Sequence, residues 1–125
     1  MACLPKKVSD AWDNRKGPII FSTVDADGKP NAIYANSVKK VSDDTIVVAN
    51  NFFSKTLQNI LAGSKGSILF LMDEETAYQI KGSIEYRQDG DLYEEMKTWN
   101  RVGFPGHGAA VLKIEEVYCG AERLV

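Results

Sequence analysis

The sequence predicts a mainly β domain with peripheral helices, built as a closed or half-closed antiparallel barrel. Two observations carry this expectation. About six apolar or alternating runs of strand length are separated by short turns. Two or three short helical patterns fall between them. Short turns between strands favour antiparallel pairing. The 125 residues are 44% hydrophobic and 26% charged, which suits one globular domain over 1–125 with its own core.

The elements follow in order. "PKKVSDAWDNRK" reads as a short opening helix, with Val8, Ala11 and Trp12 on one face. "GPIIFSTVD" is a strand entered through Gly17 and Pro18, and "DADGK" is a turn with Gly28 at the position that tolerates positive φ. "PNAIYANSVKKV" continues as one second strand, with Ala32, Tyr34 and Asn36 on one side. Asp43 and Asp44 turn the chain into the short apolar strand "TIVVA". In "FFSKTLQNILAG", Ser54 is a good N-cap, Leu57, Ile60 and Leu61 share a helical face, and Gly63 is a natural stop. A helix between the third and fourth strands allows a local crossover. "GSILFLM" is a buried strand and "YQIKGSIEYR" an alternating one. "DGDLYEEMKTWNR" is helical, with Leu92, Met96 and Trp99 at helical spacing and Asp89 or Asp91 as cap. "VGFPGHG" is a loop, and "AAVLKIEEVYC" is the last strand. Trp12 and Trp99, on apolar helical faces, are expected in core packing.

Charge narrows the function classes. A net charge of −2 and a pI near 5.4 argue against a general nucleic-acid or membrane-surface binder, which usually carries a basic excess. No run of eighteen apolar residues exists to span a bilayer. "MACLPKKVSD" lacks the apolar core of a signal peptide, so a cytoplasmic location is expected. Cys3 and Cys119 are then expected as free thiols, and with His107 the only histidine no zinc-ligand set is apparent.

The helix after Ser54 opens with the wrong charge. Its N-terminus is electropositive, yet the first turn carries Lys55 and no acid. The 28 residues from Thr45 to Met72 contain no Asp or Glu, where the chain's overall acid content would place about four. Unpaired N–H groups of a first turn bind anions. The hydroxyls of Ser54 and Thr56 add neutral donors and Lys55 adds a point charge, a set suited to a phosphate monoester. The alternative is a helix capped for stability alone, with an exposed lysine costing about 0.3–1 kcal/mol against the dipole. "SKT" is no P-loop, because the preceding glycines are absent.

Residues 17–72, "GPIIFSTVDADGKPNAIYANSVKKVSDDTIVVANNFFSKTLQNILAGSKGSILFLM", resemble the FMN-binding split-barrel family related to pyridoxamine 5′-phosphate oxidase, in its small single-domain form. The ordered features are a strand ending in a "DG" turn, a following "P" and second strand, an "NS" within it, an apolar third strand leading into "SKT", an Asn three residues later, and the last strand "AAVLKIEEVY". The resemblance implies a six-stranded antiparallel split β-barrel that forms a homodimer with FMN at the subunit boundary. It implies that Lys55 and Thr56 hold the ribityl phosphate with Ser54 beside them. Ile33, Tyr34, Ala35, Asn36 and Ser37, with Ala49, Asn50 and Asn51, would edge the isoalloxazine ring, largely through backbone groups. Asn36 and Asn51 would add side-chain hydrogen bonds. Asn59 either steadies the phosphate loop or is solvated helix surface.

The same resemblance brings a partner-chain segment near "FPGHG" to the flavin, where His107 donates a proton, covers the ring, or is simply exposed. Departures limit what carries over. No Arg stands near "SKT", Lys65 is the only other cation close to Lys55, and the oxidase's C-terminal basic substrate residues are not found, so pyridoxamine phosphate oxidation is not expected. Lys39 and Lys40 face opposite sides if the strand is regular, which favours exposed strand charge over a phosphate-tail role. The functional expectation is an FMN-dependent oxidoreductase passing electrons or hydride to a small molecule, with no catalytic residue assigned. The alternatives are a non-catalytic flavin carrier or electron-transfer protein, or a deazaflavin (F420) or haem binder on the same fold.

Overall fold

The strand pattern of the sequence closes into one antiparallel sheet. The computed structural model describes residues 2–125. In chain order the elements are α1 (Lys6–Asp13), β1 (Lys16–Val24), β2 (Pro30–Ala35), β3 (Val38–Ser42), β4 (Thr45–Asn50), α2 (Lys55–Leu61), β5 (Gly66–Leu71), β6 (Ala77–Arg87), α3 (Asp91–Trp99), β7 (Gly108–Cys119) and β8 (Glu122–Arg123). The sheet runs β2-β1-β5-β6-β7-β4-β3, with β8 paired to β7. Every pair is antiparallel. This is the split-barrel class, with eight strands rather than six.

Two differences make up the count. The short β8 is a hairpin return on β7, with Tyr118 opposite Arg123. The expected single strand over 30–41 is two strands, β2 and β3, broken at Asn36 and Ser37. At the break the Val38 N–H donates to the Asn36 carbonyl at 3.0 Å, and the Ala49 N–H donates to the Ser37 carbonyl at 2.9 Å. The chain therefore leaves one edge of the sheet and enters the opposite edge within two residues. The split of the barrel lies there.

Alternation explains the core. In β1 the inward residues Ile19, Phe21 and Thr23 are buried while their neighbours are not. Ile68 and Phe70 of β5 and Tyr78 and Ile80 of β6 continue the same layer. α1 closes one end with Val8, Ala11 and Trp12, the face its spacing predicts. Trp12 meets Phe70 edge-on with centroids 5.2 Å apart. β4 is buried along its whole length, because Val47 and Ala49 pack outward with Ala109 and Val111 of β7 beneath Met96 of α3. Trp99 packs at the edge of this second cluster, only partly buried. Neither Asp89 nor Asp91 caps α3; the N-cap is Gly90, and no side chain bonds the free N–H groups. Cys3 and Cys119 are free thiols.

Phe70 is 2% exposed and stacks against Tyr78 as well as Trp12. Phe70→Ala should destabilise the fold by about 3–5 kcal/mol, read from urea unfolding. Val102→Ser, at a residue 99% exposed, should stay within about 0.5 kcal/mol of the parent. Equal effects would contradict this core.

Candidate functional site at the split

The β1–β2 hairpin delivers the first part of the site. Its turn places Gly28 at φ 85°, a conformation that glycine adopts without Cβ strain. Oδ1 of Asp25 accepts from the N–H groups of Lys29 (2.8 Å) and Asp27 (2.9 Å). Its Oδ2 lies 3.8 Å from the half-exposed Lys55 ammonium at the start of α2. The lysine therefore has an acid beside it after all, brought from 30 residues upstream by the hairpin. At that distance the pair is a loose one, and the ammonium keeps room for a second anion.

The α2 helix begins as its sequence suggests, but it buries a different face. Ser54 is the N-cap residue, is exposed, and makes no side-chain cap bond. The first helical hydrogen bond runs from the Gln58 N–H to the Ser54 carbonyl at 3.2 Å. The N–H groups of Lys55, Thr56 and Leu57 precede it, as at any helix start. Buried on α2 are Thr56, Asn59 and Ile60, whereas Leu61 is 68% exposed. Polar partners across the sheet make this possible. Asn31 Nδ2 of β2 donates to Thr56 Oγ1 at 3.0 Å, and Asn59 Nδ2 donates to Thr23 Oγ1 at 3.0 Å. Asn59 is thus buried and not solvated surface, and it fastens α2 to β1.

The second part is a cavity of about 290 Å³ at the break between β2 and β3. Ile33 through Ser37 form one wall, Ala49 and Asn51 a second, and Phe52, Phe53 and Phe104 the rest. All of the residues the sequence resemblance places along a ring line it, except Asn50. Asn50 works behind the wall: its Oδ1 accepts the Phe53 N–H at 2.9 Å and its Nδ2 donates to Tyr86 Oη at 2.8 Å. Gly108 permits that contact, since a Cβ there would lie 2.3 Å from Tyr86 Oη.

Asn51 is also committed within the protein. Its Nδ2 donates to Ser37 Oγ (3.1 Å) and Asn100 Oδ1 (3.0 Å). Its Oδ1 accepts from Asn100 Nδ2 (2.8 Å) and the Gly106 N–H (3.0 Å). With every donor and acceptor of the amide used, its side chain has none left for a ligand. Phe104 stacks edge-on to Phe52 at 5.1 Å. Phe52, Phe53, Asn31 and Asp25 join the site without any local sequence signal, whereas Phe104 lies in the "VGFPGHG" loop.

The remaining candidates lie elsewhere. His107 is exposed and lines no part of the cavity; its N–H donates to the Asn50 carbonyl at 2.8 Å. Lys40 bonds Ser9 and lies 3.9 Å from Asp43, while Lys39 pairs with Glu95 at 3.1 Å, so neither reaches α2. Lys65 pairs with Glu115 at 2.8 Å beside a separate cleft of about 300 Å³, where the acids Glu115 and Glu116 offset its cations. No helix among the described residues is long and apolar enough to cross a membrane.

The barrel is thus split at one strand crossing, with a cavity at the split and the start of α2 bonded to the adjoining strand β2. Residues 5–119 match the family model for pyridoxamine 5′-phosphate oxidase, and the chain belongs to that family. An uncharacterised protein of Methanocaldococcus jannaschii is 30% identical over 105 residues, 80% of this chain and 70% of that protein. The crystal structure of HupZ from Group A Streptococcus superposes with a TM-score of 0.81 at 24% identity, covering 93% of each chain. An FMN-binding protein from Syntrophomonas wolfei superposes at 0.80 and 21% identity, over 96% of this chain and 87% of that one. At these identities the two structures establish the fold.

The Lys29 N–H, then the Asp27 N–H and the Lys55 charge, hold the Asp25 carboxyl below the usual aspartate range, against partial burial that pushes it up. A folded pKa below the unfolded value makes the stabilisation complete above the unfolded value of about 3.9 and lost as pH falls through the folded one. A carboxyl-carbon NMR titration should place the Asp25 midpoint below that value, and Lys55→Ala should move it upward. A midpoint at or above the ordinary value would contradict the arrangement.

Proposed function

We propose that this chain is an FMN-binding flavoprotein of the oxidoreductase type, exchanging electrons or hydride with a small molecule. One observation carries the proposal: strand β2 joins the start of α2 to the cavity at the split. Asn31 on β2 is bonded to Thr56 at the helix start, and Ile33 to Ala35 further along the strand form the cavity wall. From Asn31 to Ala35 the strand advances four residues, about 13 Å at strand rise, so the helix start and the cavity adjoin along one strand.

The residues present fit such a group. Lys55, the hydroxyls of Thr56 and Ser54, and the free N–H groups of the first turn would hold the phosphate. Because Asn31 donates into Thr56 Oγ1, the hydroxyl hydrogen remains to donate to an anion. Ile33, Ala35 and Phe53 supply apolar surface, and the backbone of Ile33–Ser37 and Ala49–Asn51 supplies edge hydrogen bonds. Asn36, not engaged like Asn51, is the side chain left for a polar ring edge. The side chains of Asn50, Asn51 and Asn59 position the walls through the hydrogen bonds they make within the protein. When bound, the flavin supplies the redox chemistry, and the protein supplies position and electrostatics.

Tyr34 and Phe52 flank the cavity and are 76% and 73% exposed. Large apolar surface beside a site favours a covering partner. We infer a homodimer in which a second copy closes the cavity.

Lys55→Ala should weaken FMN binding about tenfold to a hundredfold, the scale of a lost charged hydrogen bond of about 1.5–3 kcal/mol. Riboflavin, lacking the phosphate, should bind the variant and the parent alike. Flavin fluorescence titrations measure both. Equal loss for the two ligands would show that Lys55 acts through folding.

A further inference from the structure

We propose that a second lobe beside the cavity binds a small planar organic carboxylate. This goes beyond the flavoprotein proposal, and the binding itself requires no flavin. The lobe measures about 580 Å³ and shares Asn36, Ser37, Phe52 and Phe104 with the first cavity, so the two adjoin along a common wall. Its remaining surface comes from Val38 and Lys39 of β3 and from Trp99 and Arg101 at the end of α3.

Three features select the ligand class. The lining contains two cations and no acid. Lys39 is already paired with Glu95, whereas Arg101 makes no ion pair or side-chain hydrogen bond among the described residues. A free guanidinium is a planar fork that matches a carboxylate through two parallel hydrogen bonds. An aromatic ring face adjoins that fork: the Arg101 guanidinium lies 5.1 Å over the Phe104 ring, and Phe104 packs edge-on against Phe52. A conjugated ring carrying a carboxylate matches both surfaces at once. A phosphate monoester fits less well, since one fork without a helix start or hydroxyl cluster beside it offers few donors for three oxygens.

Trp99 adds a donor in need of a partner. Its Nε1 is the one buried side-chain nitrogen or oxygen among the described residues without a hydrogen-bond partner. An indole N–H can only donate, Trp99 lines the lobe, and a carboxylate oxygen bound there would supply the missing acceptor.

The test uses benzoate as probe on the protein as purified, with phenyl phosphate and benzyl alcohol as comparison ligands. In nitrogen-15 NMR the two indole N–H signals separate the sites, because Trp12 lies in the barrel core. Benzoate should shift the Trp99 signal saturably and leave Trp12 in place. It should bind at least tenfold more tightly than phenyl phosphate or benzyl alcohol. Arg101→Gln, at an exposed position, should weaken benzoate at least tenfold without altering thermal stability. Trp99→Phe should weaken it while retaining the aromatic wall. No saturable shift, equal affinity for benzyl alcohol, tighter binding of phenyl phosphate, or an unchanged affinity in Arg101→Gln would overturn the proposal. Competition between FMN and benzoate would also overturn it, by assigning the lobe to the flavin. Benzoate binding without any FMN binding would uphold the lobe and refute the flavin reading alone.

Discussion

The side-chain amide of Asn51 is the joint on which the site depends. A split barrel has a weak place by construction, because its two sheet edges meet where the chain crosses between them and no ladder can run through the crossing. Asn51 bridges that place. One amide, 6% exposed, ties Ser37 at the crossing to Asn100 at the end of α3 and to Gly106 in the loop before β7. Three segments distant in sequence thereby hold a common geometry. The cavity walls are these same segments, so the shape of the site follows from the satisfaction of four hydrogen-bonding positions on one residue. Removing the amide would strand several buried polar partners together, which is where such networks are most costly.

Electrostatics at the other end of the site rests on a similar economy. The start of α2 combines a free turn of N–H groups with a lysine, and the fold adds one aspartate at 3.8 Å. Asp25 is held mainly by its own turn, through the N–H groups of Lys29 and Asp27. It moderates the positive potential without capturing the ammonium in a close pair. A pair this long, with its ammonium half exposed, contributes little stability. Its position is better understood through the ligand site than through the fold.

Much of the fold was legible in the sequence, and the reasons are local. The inward residues of β1 and β6 and the buried face of α1 follow from periods of two and 3.6 residues. The crossing at Asn36 and Ser37 was not legible, because the alternation continues through it and only pairing with β4 shows the break. The buried face of α2 was misread for a related reason. Leu57, Ile60 and Leu61 suggested the inward side; Ile60 is buried and Leu61 is not, and Thr56 and Asn59 are buried because Asn31 and Thr23 satisfy them from 25 and 36 residues away. The cavity walls from Ile33 to Ser37 and from Ala49 to Asn51 were reached through family resemblance, not periodicity. Phe52, Phe104, Trp99 and Arg101 converge only through long-range packing. Phe104 of the "VGFPGHG" loop lines the cavity, and His107 of the same loop does not.

The central claim is that the helix start and the split cavity together hold one flavin mononucleotide per chain. The visible spectrum of the freshly purified protein, followed by acid release and identification of the chromophore, tests it most directly. The account predicts flavin bands and FMN released in equal amount to the chain, either as isolated or after incubation with excess FMN. A Soret band, a deazaflavin, or a protein that stays colourless after that incubation would contradict it.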